Sequence, residues 1–146
     1  MRKIAIGLLA AAALLRASAA ELEWMTDLPK AQAKAKEEKK MVMLDFTGSD
    51  WCGWCIKLHK EVFSTPAFAE YAKQNLLLVE VDFPQKKKLS AEQKKANDAL
   101  QKKYKIEGYP TIIVLNAEGN KIGELGYMPG GPKAFLAELD KVRKSE

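Results

Sequence analysis

The order of apolar and helix-forming segments along the chain constrains its fold more than any other sequence feature. Residues 41–47 and 76–83 are continuous apolar runs of strand length, which are typical of strands covered on both faces. A helix-forming segment precedes the first run, and further helical segments separate the two. Because this alternation is typical of strands that pair mainly in parallel, the sequence predicts an α/β fold with a central mixed, mostly parallel sheet flanked by helices.

Capping residues and prolines predict where the helices begin; the expected caps are Thr26 or Asp27 for the first helix, Thr65 for the third and Ser90 for the fourth. Helices are expected at residues 27–40, 52–63, 66–74 and 90–104 and after Pro132, the fourth with a capping box formed by Ser90 and Gln93. A third strand is expected at residues 111–115, and a weaker one at residues 121–127 has two glycines that suit a sheet edge. With no internal repeat and no linker, a chain of 146 residues predicts one domain, residues 21–146.

The first 20 residues have the pattern of a secretory signal peptide. A basic start at residues 1–3 is followed by an apolar stretch at residues 4–15 and by small residues that allow cleavage after Ala19 or Ala20. Arg16 interrupts this pattern, so an uncleaved amphipathic anchor is the alternative. No apolar run is long enough for a membrane-spanning helix. We therefore expect a secreted protein.

Charge and composition exclude several functional classes. Removing three basic residues with the signal peptide leaves 21 Lys and Arg against 19 Asp and Glu, a formal charge near +2 instead of +5. The lysine clusters contain few arginines or aromatic residues, so we expect no nucleic-acid partner and interpret them as solvated surfaces. Two cysteines and one histidine are too few for a disulfide-stapled mini-fold or a rich metal site.

The chemistry is expected at Trp51-Cys52-Gly53-Trp54-Cys55, between a buried strand and a helix. Two cysteines three residues apart at a helix start share one face and can close a disulfide. Cys52 would meet free backbone N–H groups and the positive end of the helix dipole, which favour its thiolate, and Cys55 would be the less exposed resolving thiol. A purely structural disulfide and a metal site formed with His59 are the alternatives; haem attachment is excluded because Ile56 follows the second cysteine.

Four motifs in this order resemble the thioredoxin superfamily, specifically its secreted bacterial thioredoxin-like proteins: Asp45-Phe46, the Cys-Gly-Trp-Cys segment, Gly108-Tyr109-Pro110-Thr111 and a late glycine. The resemblance covers nearly all of the mature chain and implies a thioredoxin fold. It also implies that Pro110 has a cis peptide bond and lies against the two sulfurs, where the adjoining backbone pairs with an extended client. An ordinary trans proline at a strand start is the alternative.

Asp45 resembles the family's buried acid, which exchanges a proton with the second cysteine. The family's acid usually precedes the first cysteine by six residues, whereas Asp45 precedes Cys52 by seven, so the side chain could point elsewhere. Asp50 or Glu80 could then share its task. The alternative is that Asp45 is a strand-end residue hydrogen-bonded to backbone; burial without a partner would raise its pKa.

Aromatic residues flank the cysteines and suggest a surface for client chains. Trp51 and Trp54 could form an apolar platform, although Trp51 could merely pack on the sheet. Together with these, Gly53, Tyr109 and Thr111 are candidate substrate-binding residues. His59 is interpreted as a surface residue. Trp54 stands where disulfide isomerases have a histidine, and indole cannot stabilise a thiolate by charge, so a less oxidising protein is expected.

The sequence therefore predicts a thiol–disulfide oxidoreductase that acts on protein clients, more as a reductant than as an oxidant. The resemblance implies a periplasmic or otherwise extracytoplasmic location, with electrons exchanged with a membrane donor or acceptor. We expect a monomer that needs no cofactor and no metal. The alternative function is a non-enzymatic client-binding module whose cysteines stay oxidised.

Overall fold

The computed structural model describes residues 22–145, which form one mixed sheet with helices on both faces. The predicted signal peptide and its cleavage site lie outside the described residues. The strands are β1 (Trp24–Met25), β2 (Met41–Thr47), β3 (Leu76–Asp82), β4 (Thr111–Leu115) and β5 (Lys121–Leu125). The helices are α1 (Leu28–Glu38), α2 (Gly53–Leu58), α3 (Pro66–Asn75), α4 (Ala91–Lys103) and α5 (Gly131–Lys144).

The sheet order is β1-β3-β2-β4-β5. β3 pairs in parallel with β1 and β2, whereas β4 pairs antiparallel with β2 and β5. The sheet is mixed, as predicted, but its pairings are evenly divided instead of mostly parallel. The short turn between β4 and β5 accounts for one of the two antiparallel pairs, because a tight turn reverses the strand direction. β5 lies at the edge of the sheet, as predicted. It ends at Leu125 instead of residue 127, so it contains Gly123 but not Gly126.

The predicted helix caps are largely confirmed. The side chains of Asp27, Thr65 and Ser90 each accept a hydrogen bond from the backbone three residues on, at the starts of α1, α3 and α4. The capping box of α4 is only half formed. Gln93 Nε2 donates to the carbonyl of Thr26 at 3.1 Å and to Asn97 at 2.8 Å, so it ties α4 to the segment after β1 instead of returning to Ser90.

Two local features were not predicted. β1 has two residues, too few for a period-two pattern, and it pairs with β3 in parallel. The predicted helix at residues 52–63 is α2 continued by a π-helical segment, His59–Phe63. None of the helices among residues 22–145 has the length and apolar character of a membrane-spanning segment.

The core lies on both faces of β2, and all seven residues of this strand are buried. Its even-numbered residues pack with Ala31 and Ala35 of α1. Met41 and Met43 face the opposite side with the buried residues of α2, α3 and α5. Since side chains alternate along a strand, Asp45 belongs to the same face as α2. In register, Asp45 lies beside Glu80 of β3 and Ile112 of β4.

Candidate active site

The two cysteines form a disulfide at the start of α2. Cys52 is the N-cap residue, with extended backbone, and its Sγ accepts the backbone N–H of Cys55 at 3.2 Å. The Cα atoms are 5.2 Å apart, and both residues are buried. Cys52 therefore lies where the free N–H groups and the positive end of the helix dipole concentrate, and Cys55 lies within the first turn.

The turn before Cys52 is fixed by the last residue of β3 and the residue that follows it. The backbone N–H of Ser49 donates to Asp82 Oδ1 at 2.9 Å, and its hydroxyl donates to the other oxygen of the same carboxylate. Trp51 Nε1 donates to the carbonyl of Phe83 at 2.7 Å. The N–H of Cys52 closes the turn on the carbonyl of Gly48 at 2.9 Å. The position of Cys52 is thus determined by contacts with a distant part of the chain.

Asp50 holds the lysine-rich segment, residues 85–88. Its carboxylate accepts the backbone N–H groups of Gln85, Lys86 and Lys87 at 2.8–2.9 Å. These hydrogen bonds lower the pKa of Asp50. The sequence suggested that Asp50 could share proton transfer with Asp45. In the structure, the Asp50 carboxylate instead anchors residues 85–87 to the active-site turn.

Asp45 and Cys55 line the same cavity, of about 450 Å³. Asp45 is buried, and its Oδ1 has no hydrogen-bond partner. Burial raises the pKa of this carboxyl from 3.8 to about 8, and the charges of Glu80 and Asp82 add to the effect. The longer turn therefore does not direct Asp45 away from the cysteines. The alternative, in which Asp45 is a strand-end residue hydrogen-bonded to backbone, does not hold for Oδ1, which has no hydrogen-bond partner.

Three charged side chains from two segments meet beside this cavity. Lys87 Nζ lies 3.0 Å from Asp82 Oδ2 and 3.9 Å from Glu80 Oε1. The pKa of Glu80 is raised by burial and by Asp82, against the opposing charges of Lys87 and His59. The hydrogen bond to Asp82 raises the pKa of Lys87. Glu80, which the sequence suggested as a partner of Asp45, therefore borders the same cavity. The sequence did not indicate Lys87, because a sequence shows the charge of a lysine but not the direction of its side chain.

The tryptophans beside the cysteines are exposed. Trp54 has 58% of its surface accessible and packs at a tilt against Tyr127, with ring centroids 4.8 Å apart. Lys57 Nζ lies 5.1 Å from the centre of the Trp54 ring, and the Tyr127 hydroxyl donates to Glu61 at 2.9 Å. Trp51, 39% accessible, packs edge-on against Tyr109. Tyr127 was also missed, because its strand signal gave no indication that it pairs with Trp54.

The peptide bond between Tyr109 and Pro110 is cis, as the resemblance implied. The ring of Tyr109 packs against Phe83 at 5.4 Å, and its hydroxyl accepts a hydrogen bond from Gln101. Thr111 follows at the start of β4, where its hydroxyl donates to the carbonyl of Gly108 at 2.7 Å. This loop therefore lies beside the active-site turn through Trp51.

The two remaining candidates are placed as follows. Gly53 is the first residue of α2, and a Cβ added there would have nothing within 4 Å, so this position is open. His59 is exposed, as predicted, and also borders the cavity of Asp45, with Nδ1 3.0 Å from Ser64 Oγ. Residues 22–145 contain no group of three or more His, Cys, Asp or Glu side chains suited to a metal ion.

Comparison with known proteins agrees with this site. A family model described as a thioredoxin-like domain matches residues 28–143. The chain belongs to the thioredoxin-like family. It is 37% identical over 127 residues to the disulfide bond reductase DsbH of Chlamydia pneumoniae, an alignment that covers 87% of this chain and 76% of that relative. A solved structure of a DsbH oxidoreductase matches with a TM-score of 0.81 at 36% identity, over 87% of this chain and 88% of that one.

A further relative is a much longer protein. The thiol:disulfide interchange protein DsbD of Vibrio vulnificus is 34% identical over 119 residues, which are 80% of this chain and 18% of that relative. A thioredoxin from Thermus thermophilus shares the fold, with a TM-score of 0.61 at 24% identity over 83% of this chain and 86% of that one. The protein therefore has the thioredoxin fold and is a thiol–disulfide oxidoreductase.

Proposed function

We propose that this protein reduces disulfide bonds of proteins outside the cytoplasm, with Cys52 as the attacking thiolate and Cys55 as the resolving thiol. The observation that carries the proposal is the different environment of the two sulfurs. Cys52 Sγ caps α2 and accepts a backbone N–H, whereas Cys55 borders the cavity of the buried Asp45. One position favours a thiolate and the other provides a proton acceptor.

The reaction transfers two electrons to the client in two steps. The Cys52 thiolate attacks one sulfur of a client disulfide, a mixed disulfide forms, and the second client sulfur leaves as a thiolate. Cys55 then loses its proton and attacks Cys52 Sγ, which releases the first client sulfur. The client ends as a dithiol and the Cys52–Cys55 pair as a disulfide.

In the second step, the ionised form of Asp45 accepts the proton of Cys55. Its pKa of about 8 is close to the ordinary value of a thiol. Proton transfer between groups of matched pKa has a small free-energy difference in either direction. Glu80, which is adjacent to Asp45 in the sheet, contributes a second carboxylate to the same cavity.

Client proteins would bind across the aromatic surface around the disulfide, formed by Trp51, Trp54 and Tyr109. Exposed aromatic rings bind extended chains with little side-chain ordering. Gly53, open toward solvent, lets a client approach the sulfurs. The backbone at Pro110 and Thr111 would pair with the client as an added strand.

Two observations favour reduction over oxidation. The relative DsbH is named a disulfide bond reductase. In addition, Trp54 packs on Tyr127 and Lys57 and contributes no positive charge of its own, unlike the histidine of an oxidising pair. A reductant needs two electrons for each cycle, so we propose a dithiol donor in the membrane. The signal-peptide pattern of residues 1–20 supports action in the periplasm or after secretion.

A trapping experiment tests the roles of the two cysteines. The Cys55→Ala variant should accumulate mixed disulfides with client proteins, because the resolving thiol is absent, whereas Cys52→Ala should trap none. Non-reducing electrophoresis separates these outcomes. Client binding without covalent trapping by Cys55→Ala would instead support a non-enzymatic binding module.

A redox titration tests the direction of electron flow. The protein is equilibrated in dithiothreitol and glutathione buffers, and its tryptophan fluorescence is recorded. A reduction potential near about −270 mV would agree with a reductant, and a value above about −180 mV would contradict it. Failure to observe a reversible transition would contradict thiol–disulfide exchange altogether.

A further inference from the structure

The lysine-rich segment at residues 85–88 makes specific contacts that a solvated loop does not need. Its backbone is fixed by the carboxylate of Asp50, two residues before Cys52. All three lysines of this segment are exposed, and the Lys87 side chain extends back to the carboxylates of β3. One lysine of three is thus directed into the active site.

Lys87 contacts an acidic carboxylate that is almost fully buried. The Asp82 side chain is 5% accessible and its Oδ2 lies 3.0 Å from Lys87 Nζ, while Lys87 keeps 53% of its side chain accessible. The ammonium group therefore lies at the mouth of the cavity, with carboxylates on its inner side. Such a position brings positive charge to a site where burial raises the free energy of every negative charge.

The cavity around Cys55 contains acidic groups of β2 and β3 as well as basic groups. Asp45 of β2 and Glu80 of β3 border it, and Asp82 acts on both by its charge. Ile112, the neighbour of Asp45 on β4, is apolar. The charged and titratable groups that border the cavity are Asp45, Cys55, His59, Lys60, Glu80 and Lys87. Of these cations, Lys87 is the one with ion pairs to the β3 acids among the described residues.

We propose that Lys87 is a positioning residue of the exchange reaction: its ammonium group orders Glu80 and Asp82 and supplies the positive charge that allows Cys55 to lose its proton near neutral pH. This proposal rests on the proposed function, in which Cys55 resolves the mixed disulfide. Without Lys87, each loss of a proton in the cavity takes place against a more negative surrounding, and resolution moves to higher pH. Attack by Cys52, at the N-terminus of α2, is not affected in this way.

A two-phase colour reaction separates attack from resolution. The reduced full-length protein is mixed rapidly with dithiobis(nitrobenzoate), an aromatic disulfide. Attack by Cys52 releases one coloured thiolate at a rate that depends on the reagent concentration. Resolution by Cys55 releases the second at a rate that does not. Both rates are measured between about pH 5 and about pH 9, a range that contains the ordinary pKa of a thiol.

The Lys87→Met variant should resolve about three- to tenfold more slowly at pH 7, with its pH profile moved upward and the first phase unchanged. This three- to tenfold slowing is the size expected when one half-exposed positive charge close to a carboxylate is removed, because solvent screens the interaction between the two charges. Lys87→Arg should restore the wild-type profile because it keeps the charge. Lys88→Met removes a neighbouring lysine outside this cluster and should behave as wild type.

Each outcome has a defined meaning. If Lys87→Met shows both phases with the wild-type pH profile, the proposed role of Lys87 is refuted, but the proposed exchange mechanism is not. If the wild-type protein releases no second thiolate, the proposed function itself fails. An equal slowing in Lys88→Met would show a general charge effect and overturn the specific role. Thermal unfolding of each variant identifies a change that only weakens the fold.

Discussion

Replacing Asp45 with asparagine should stabilise the oxidised protein by about 4 kcal/mol at pH 7. In the folded state this carboxyl has a pKa of about 8, whereas its ordinary value is 3.8. Between these values the folded chain keeps a proton that the unfolded chain releases. The free energy of unfolding therefore falls by about 1.4 kcal/mol for each pH unit as the pH rises from about 4 to about 8. Asparagine cannot ionise and removes this penalty.

The prediction concerns a pH dependence as well as one value. Denaturant unfolding, followed by tryptophan fluorescence, should give nearly equal free energies for both proteins below about pH 4 and a gap that widens up to about pH 8. Asp98→Asn is the matched control. It replaces an exposed carboxylate on α4, paired with Lys94, and should change stability by less than about 1 kcal/mol.

One result would refute the reasoning. If Asp45→Asn and wild type unfold with the same free energy at pH 5, 6, 7 and 8, Asp45 is ionised in the folded protein at ordinary pH. Burial then does not control this carboxyl, and its role as a proton acceptor matched to Cys55 would lose its basis.

Two further changes test the packing that supports the site. Gly48→Ala should destabilise the protein by about 1–3 kcal/mol in denaturant unfolding, because the new Cβ would overlap the Trp51 ring. Gly53→Ala is the control and should change stability little, because a Cβ at this position has nothing within 4 Å. Equal effects of the two substitutions would contradict the close packing at Gly48. Asn97→Ala should lower the free energy of unfolding by about 1–3 kcal/mol, because the buried amide donates to the carbonyl of Asp82 at 2.9 Å; an unchanged denaturation midpoint would show that water replaces this contact.

Much of the fold is predictable from local sequence. β2 and β4 have the predicted bounds, because an apolar run between polar or turn-forming residues has only one good position in a buried sheet. The caps at Thr65 and Ser90 are local contacts over three residues and follow from residue type alone. The cis bond before Pro110 came from the family resemblance, since spacing alone does not distinguish cis from trans.

The site was predictable only in part, because its decisive contacts are long-range. The cysteine pair and the buried acid have sequence signatures. The hydrogen bonds of Ser49, Asp50 and Trp51 join residues 32 to 37 positions apart, and no local pattern indicates them. For the same reason Lys87 was grouped with its neighbours as a solvated residue, although its ion pair with Asp82 distinguishes it from them.

The anchoring of residues 85–87 by Asp50 has a consequence for proteolysis. Three consecutive lysines beside a loop would ordinarily be a preferred site for a trypsin-like protease. Such a protease binds its substrate as an extended strand and needs free backbone donors, but here three successive N–H groups are already bound to one carboxylate. Cleavage requires these bonds to open first. The resistance of this segment to trypsin-like cleavage therefore depends on the integrity of the turn that carries Cys52.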